Sequence, residues 1–222
     1  MLTLQLKSKS MTKEEFIETL KKSHSAPFLF IGSGFTRHYL GTPDWKGMLS
    51  KFAPKHINQY YSTAGTDYLP TIATSIAEDV NSDFWNLPDD DTFKIANQEN
   101  AINKSSILKI KIAQYLKSLS LEEFPDEYKD ELELLANINI DGIITTNWDD
   151  IAERIFPKFT RYIGQQELFF APTYGMSEIY KIHGCISSPE SLVLTEEDYN
   201  DFNNRNTYLA AKLITIFIAI LS

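Results

Sequence analysis

The chain holds a single cysteine, Cys185, among its 222 residues. No intrachain disulfide can form and no four-cysteine zinc site can be built, which points to a reducing compartment, the cytoplasm. Cys185 reads as a buried, inert thiol rather than a nucleophile. Positive charge is also scarce: 21 Lys and Arg stand against 30 Asp and Glu, a net charge of −9. That balance argues against nucleic acid as the main ligand, a local basic groove excepted. No apolar run reaches the roughly 18 residues of a membrane span, and MLTLQLKSKSMTKEEF lacks the apolar core of a signal peptide, so no membrane partner is expected. Internal repeats and low-complexity tracts are absent. His24, His38 and His56 show no metal-ligand spacing, and Asp89-Asp90-Asp91 reads as a solvated loop, so no metal site is expected. A hydrophobic fraction of 43% with 23% charged residues is that of an ordinary globule, able to build one elaborated domain or two small ones.

What is present is organised around Ala26 to Met48. The apolar run Phe28-Leu29-Phe30-Ile31 ends at Gly32-Ser33-Gly34, the pattern of a buried strand emptying into a glycine turn, with a helix expected from Phe35 or Thr36. Glycines at 32 and 34 let backbone N–H groups approach a pyrophosphate, and the helix start adds the positive end of its dipole. The third glycine of a G-x-G-x-x-G fingerprint is missing; Arg37 stands there.

Three segments then recur in order: Gly32-Ser33-Gly34-Phe35-Thr36 with Gly41-Thr42-Pro43-Asp44-Trp45; Thr145-Thr146-Asn147-Trp148-Asp149; and His183-Gly184. From about Pro27 to about Tyr199 they resemble the sirtuin pattern of a G-A-G-x-S/T loop with G-I-P-D-F, T-Q-N-x-D and H-G. The nearest likeness is to the sirtuin-like NAD hydrolases of bacterial antiphage defence. The resemblance implies a Rossmann-like fold and NAD as substrate. It further implies Asn147 and His183 as the catalytic pair, with Gly32, Ser33, Gly34, Phe35, Thr36, Asp44 and Asp149 at NAD-contacting positions. Thr146 stands where the deacylating members carry glutamine, and the four zinc cysteines of those members are absent, so no structural zinc is expected.

The rest of the chain supports a mostly parallel α/β sheet with helices on both faces. Thr12-Lys13-Glu14-Glu15 is a capping box opening a helix over 12–23, with Phe16, Ile17 and Leu20 as its apolar stripe. Trp45 to Phe52 reads as a short helix. Residues 51–130 lose strand character and read as a helical insertion over the mouth of the nucleotide fold. Ile72, Ile76 and Val80 mark one of its helices, Ile107 to Leu119 another, and a polar stretch near 81–105 lies between. A helix over Pro125 to Leu135, a buried strand over Ile138 to Thr146 and a helix over Asp149 to Phe156 follow. Short strands are expected at Leu168 to Phe170 and Ile179 to Ile182, with a helix start at Thr195. Residues 1–50 and 131–222 thus form the nucleotide-binding part. LITIFIAILS at the end reads as the close of a helix, which leaves the sheet short of its last strands and the NAD site of this piece incomplete.

Chemistry assigns roles at the expected strand ends. Asn147 has a neutral amide that donates and accepts, suited to positioning; His183 has an imidazole able to take a proton near neutral pH. Asp44 and Asp149 suit ribose hydroxyls or a carboxamide, Trp45 and Phe35 suit covering the nicotinamide, and Ser33 and Thr36 can donate to phosphate or ribose oxygens. Taken separately, Asn147 and Asp149 read as caps of the next helix and His183 as a satisfied core histidine; their ordered co-occurrence favours catalysis. The expectation is an NAD glycohydrolase giving nicotinamide and ADP-ribose. The alternatives are a non-catalytic NAD- or ADP-ribose-sensing module and an NAD-dependent protein deacylase. The resemblance also implies a homo-oligomer, a sensor domain or partner ATPase, and activity held off until a phage-derived trigger arrives.

Overall fold

The computed structural model describes residues 12–22, 26–120, 124–164, 167, 176–205, 210, 211 and 214. Its first helix, α1 (Lys13–Lys22), opens on the expected reciprocal cap. Thr12 N donates to Glu15 Oε2 at 2.9 Å and Glu15 N to Thr12 Oγ1 at 3.2 Å.

Four strands, β1 (Phe28–Ile31), β2 (Gly142–Thr145), β3 (Thr160–Ile163) and β4 (Glu178–Lys181), form one sheet in the order β1-β2-β4-β3. Every pairing is parallel, so the architecture is α/β and Rossmann-like. The sequence passes over β3 because Thr160-Arg161-Tyr162-Ile163 carries an exposed, partly charged edge strand rather than an apolar run. The strand expected at Leu168 to Phe170, and the stretch LITIFIAILS with the inference drawn from it, lie outside the described residues.

In-register parallel pairing puts Leu29, Ile31, Ile143 and Ile179 on one face of the sheet. There they pack against α2 (Ser33–Leu40), α8 (Lys129–Ala136) and α9 (Ile151–Ile155) through Tyr39, Leu132, Leu135, Ile151 and Ile155. The other face is an aromatic layer in which Tyr180 stacks between Phe28 (6.3 Å) and Tyr162 (6.0 Å). Phe202 of α10 (Glu196–Arg205) packs against this layer.

A second core lies among the helices between β1 and β2. α3 (Trp45–Phe52), α4 (Ile57–Ala64), α5 (Leu69–Trp85) and α7 (Ser106–Ser120) converge on Ile72, Ile76, Ile107, Leu108 and Ile112, all fully buried. Each such isoleucine contributes roughly 1.5–3 kcal/mol of burial. Met48 and Leu49 of α3 belong to this core, as do Cys185, Ile186, Leu192 and Leu194 after β4. The stretch expected to be a polar connector, 81–105, carries the last turn of α5 and the short α6 (Thr92–Asn97). There the acidic run serves α6: Asp91 caps it, accepting from Lys94 N at 2.9 Å, and Asp89 pairs with Lys94 Nζ at 2.8 Å. Two other boundaries differ from expectation. α2 begins at Ser33 because Phe35 N already bonds the Gly32 carbonyl at 3.0 Å, and the second strand shortens to Gly142–Thr145.

β4 ends in a turn that only glycine fits. Gly184 has φ +89°, and a Cβ placed there would lie 2.1 Å from the Ser191 carbonyl oxygen. The glycine after His183 is therefore required by the backbone, whatever the histidine does. Gly184→Ala is expected to cost about 2 kcal/mol or more and to lower the thermal midpoint by roughly 5 °C, checked by calorimetry on the full chain.

Candidate functional site

In an open parallel sheet the carboxyl ends of the strands share one edge, where ligands bind. Gly32 follows β1, Asn147 and Asp149 follow β2, and His183 follows β4. Because β2 lies between β1 and β4, residues more than 150 positions apart in sequence meet at that edge. A cavity of about 220 Å³ opens there. Ser33, Thr36, Asp44 and Trp45 line it from the first motif, Asn147 and Asp149 from the second, and His183 from the third.

The polar groups form a connected chain. Asn147 Nδ2 donates to the Gly32 carbonyl at 2.9 Å and to Thr36 Oγ1 at 2.8 Å. Thr36 Oγ1 donates in turn to Asp149 Oδ2 at 2.5 Å, and Asp149 Oδ1 accepts from Ile151 N at 3.1 Å. Since a carbonyl can only accept, the Asn147 nitrogen faces Gly32, and the amide oxygen is the group Asn147 has left to offer. Thr145 holds the backbone beneath: its hydroxyl donates to Ile31 O at 2.9 Å and accepts from Asn147 N at 3.0 Å. Thr36, Asn147 and Asp149 are all buried, so each of these bonds is worth more than it would be in water.

Behind this chain sits Lys181, fully buried at the end of β4. Its Nζ donates to the Asp149 carbonyl and pairs with Glu153 Oε1 at 3.3 Å. Its only signal in the sequence is a lysine interrupting the apolar run just before His183.

His183 is surrounded by rings. Tyr199 meets its imidazole edge-on at 5.7 Å and 78°, and Phe202 does so at 5.0 Å and 85°. Burial in this setting holds the imidazole below its ordinary range, so it is neutral and able to accept a proton at pH 7. Tyr199 also lines the cavity and stacks on Trp45 at 5.9 Å and 29°; burial pushes its phenol up to about 12, so it stays protonated. Nothing in the sequence marks Tyr199 or Leu116, a cavity residue from α7, because both read as ordinary apolar helix positions.

Gly32, Gly34 and Phe35, expected as contact residues, are not among the residues that line the cavity. The Phe35 ring packs on Tyr39 at 4.8 Å in the core under the sheet, and the aromatic residues that line the cavity are Trp45, Trp148 and Tyr199. Gly32 offers its carbonyl to Asn147. Its φ of −113° is one that any residue adopts, and a Cβ at Gly32 or Gly34 would meet nothing within 4 Å. The fold does not need glycine at either place, and the open space fits a bound group approaching the backbone. Asp44 lines the cavity while capping α3, accepting from Gly47 N at 2.7 Å. Cys185 is buried and free, in the helical core rather than at the cavity.

The cavity walls carry the carboxylates of Asp44 and Asp149, and no Lys or Arg is among the described residues that line them. Among the described residues no group of three or more His, Cys, Asp or Glu is placed to hold a metal ion, and no helix is long and apolar enough to cross a membrane.

Fold and cavity together give a Rossmann-like α/β protein with an open cavity at the carboxyl ends of β1, β2 and β4. Residues 141–220 match the family model of the SIR2-like domain, which supports a place in the sirtuin-like superfamily and an NAD-linked role. The matched range contains Asn147, Asp149 and His183; the glycine loop and Asp44 lie before it. No curated protein matches the chain.

Gly34→Ala tests the open space. Gly34 is the second residue of α2, where alanine suits the helix better by at most roughly 0.5–1 kcal/mol, so the thermal midpoint should hold or rise while nucleotide affinity falls about tenfold, read by calorimetric titration with NAD. Unchanged affinity would make the glycine incidental.

Proposed function

We propose that this protein hydrolyses the nicotinamide–ribose bond of NAD, giving nicotinamide, ADP-ribose and a proton. The observation that carries the proposal is the meeting of Asn147 and His183, with Ser33, Thr36, Asp44 and Asp149, around one cavity. The balance is simple: the electron pair of the broken bond leaves with the nicotinamide nitrogen, and a water oxygen bonds to the anomeric carbon and gives up its proton. His183 takes that proton, kept neutral for the task by burial. Asn147 directs its amide oxygen at a hydroxyl or carboxamide N–H of the ligand, held in that sense by Gly32 and Thr36. Trp45 and Tyr199 exclude bulk water. The two carboxylates favour the cationic end of the substrate over its phosphates.

In a bacterial cell the outcome is NAD depletion after phage infection, in the cytoplasm, by a homo-oligomer controlled by a sensor domain or a partner ATPase and set off by a phage-derived trigger. Measuring cellular NAD in infected and uninfected cells carrying the gene tests that part.

A second reading, a module that senses NAD or ADP-ribose without cleaving it, is favoured by one observation. The Asn147 amide hydrogens and the Asp149 carboxylate are already engaged inside the protein. Thermal stabilisation by ADP-ribose with no nicotinamide release would establish it.

Chromatography of NAD incubated with the protein decides between them. His183→Gln should cut nicotinamide release by at least about 100-fold with little change in stability. Asn147→Ala should do the same but also cost about 1–2 kcal/mol, since buried Thr36 Oγ1 loses its donor and the half-buried Gly32 carbonyl loses one of two; full activity in both variants would sink the site assignment. The acid limb of kcat/KM should fall below pH 6.5, the ordinary imidazole value, because burial lowers the group. The same shift sets the sign for stability: the unfolded chain binds this proton more readily, so the contribution is complete above pH 6.5 and is lost as pH falls through the lower folded-state value.

A further inference from the structure

The strongest feature outside the motif residues is a charge pair between a buried lysine and a half-buried aspartate that ties the helical insertion to the cavity. Lys109 of α7 is 2% exposed, and its Nζ lies 2.6 Å from Asp198 Oδ1 on α10. The other carboxylate oxygen of Asp198 accepts from Leu194 N at 3.0 Å, Thr195 N at 2.8 Å and Thr195 Oγ1 at 2.8 Å. It thereby fixes the start of α10. Two further bonds seat that start on α5: Thr71 Oγ1 donates to Glu196 Oε2 at 2.9 Å, and Glu196 N to Thr74 Oγ1 at 3.1 Å. The residue after Asp198 is Tyr199, and Phe202 follows three positions on; these are the two rings against His183.

We infer that Lys109 is a positioning residue that acts through Asp198 to hold Tyr199 between His183 and Trp45, so that the helical insertion controls how the reaction site is covered. A buried lysine is costly unless paired, and removing either partner leaves the other charge stranded, so the pair has one stable arrangement. That arrangement puts the Tyr199 ring over the cavity. The inference rests on the cavity being the reaction site, but its main test does not need turnover.

The chain has four histidines, and the His183 imidazole resonance is assigned by its loss in His183→Gln. Ring currents from Tyr199 and Phe202 displace this signal in the wild type. Lys109→Met and Tyr199→Leu should each move it toward the position of an exposed imidazole, and the double variant should move it no further than Tyr199→Leu alone, the mark of residues acting in series. Lys109→Arg, which keeps the ion pair, should restore it. Where NAD is consumed, Lys109→Met should lower kcat about tenfold or more, again without adding to Tyr199→Leu. A folded Lys109→Met that leaves the resonance in place, or shifts that add in full, would overturn the inference. If Lys109→Met does not fold, Asp198→Asn decides by the same criteria, since its remaining oxygen still caps α10. Absence of NAD consumption with the resonance shifts as expected would reject the hydrolase and leave the positioning role standing.

Discussion

The site depends on one hydroxyl. Thr36 Oγ1 accepts from Asn147 and donates to Asp149, joining the helix after β1 to the two polar residues after β2. A hydroxyl with one donor and two lone pairs can play both parts, whereas an apolar isostere would leave a buried amide hydrogen and one carboxylate oxygen without these partners. The chain of bonds gives Asn147 a direction, because the Gly32 carbonyl and Thr36 take up its hydrogens and leave the oxygen as the outward group. The polar residues here are therefore fixed before any ligand arrives, the condition under which electrostatic positioning costs no reorganisation later.

His183 sits where the two cores meet. The sheet delivers it at the end of β4, while α10, anchored on the helical insertion through α5 and α7, supplies the rings around it. Removal from water lowers the proton affinity of the imidazole. Asp149 is engaged with Thr36 and Ile151 N, and Asp44 with Gly47 N, so the carboxylates are directed at their own caps. The expected cap reading of Asp149 is seen in its bond to Ile151 N, and the same side chain lines the cavity.

Much of this was legible in the sequence. β1, the glycine turn, α3 and the helical character of 51–130 follow from period and punctuation, and the edge that gathers Asn147 and His183 follows from parallel strands alone. What escaped did so for physical reasons. β3 is an exposed edge strand without an apolar signature, and α6 is short, begun by an acidic run that looked like a loop. Phe35 is on the core side of α2 because helical spacing sets it one residue from Thr36, which faces the cavity. Tyr199, Leu116 and Lys109 reach the site or its cover only through tertiary packing between the insertion and α10, a relation that no local pattern encodes.

Size and charge together constrain how a dinucleotide could lie on this surface. At about 220 Å³ the cavity falls below the roughly 300–1,000 Å³ of a site that encloses a whole ligand of drug size, so it has room for one end of such a molecule only. Two carboxylates and no lysine or arginine among the described wall residues make the interior a poor host for phosphate and a good one for a cationic ring. The start of α2 has the opposite character: Gly32 caps it without a side chain, and open space stands above Gly32 and Gly34, so free N–H groups and the positive helix end face outward. A ligand that is positive at one end and anionic in the middle matches this division, whereas adenosine diphosphate compounds without the cationic ring match only half of it. On the proposed reading, binding energy from the phosphates at α2 is therefore available to seat the positive ring in the enclosure; as the ring leaves neutral its charge passes to the ribose, so a carboxylate lowers the barrier only through the sugar, and binding of the ring alone does not.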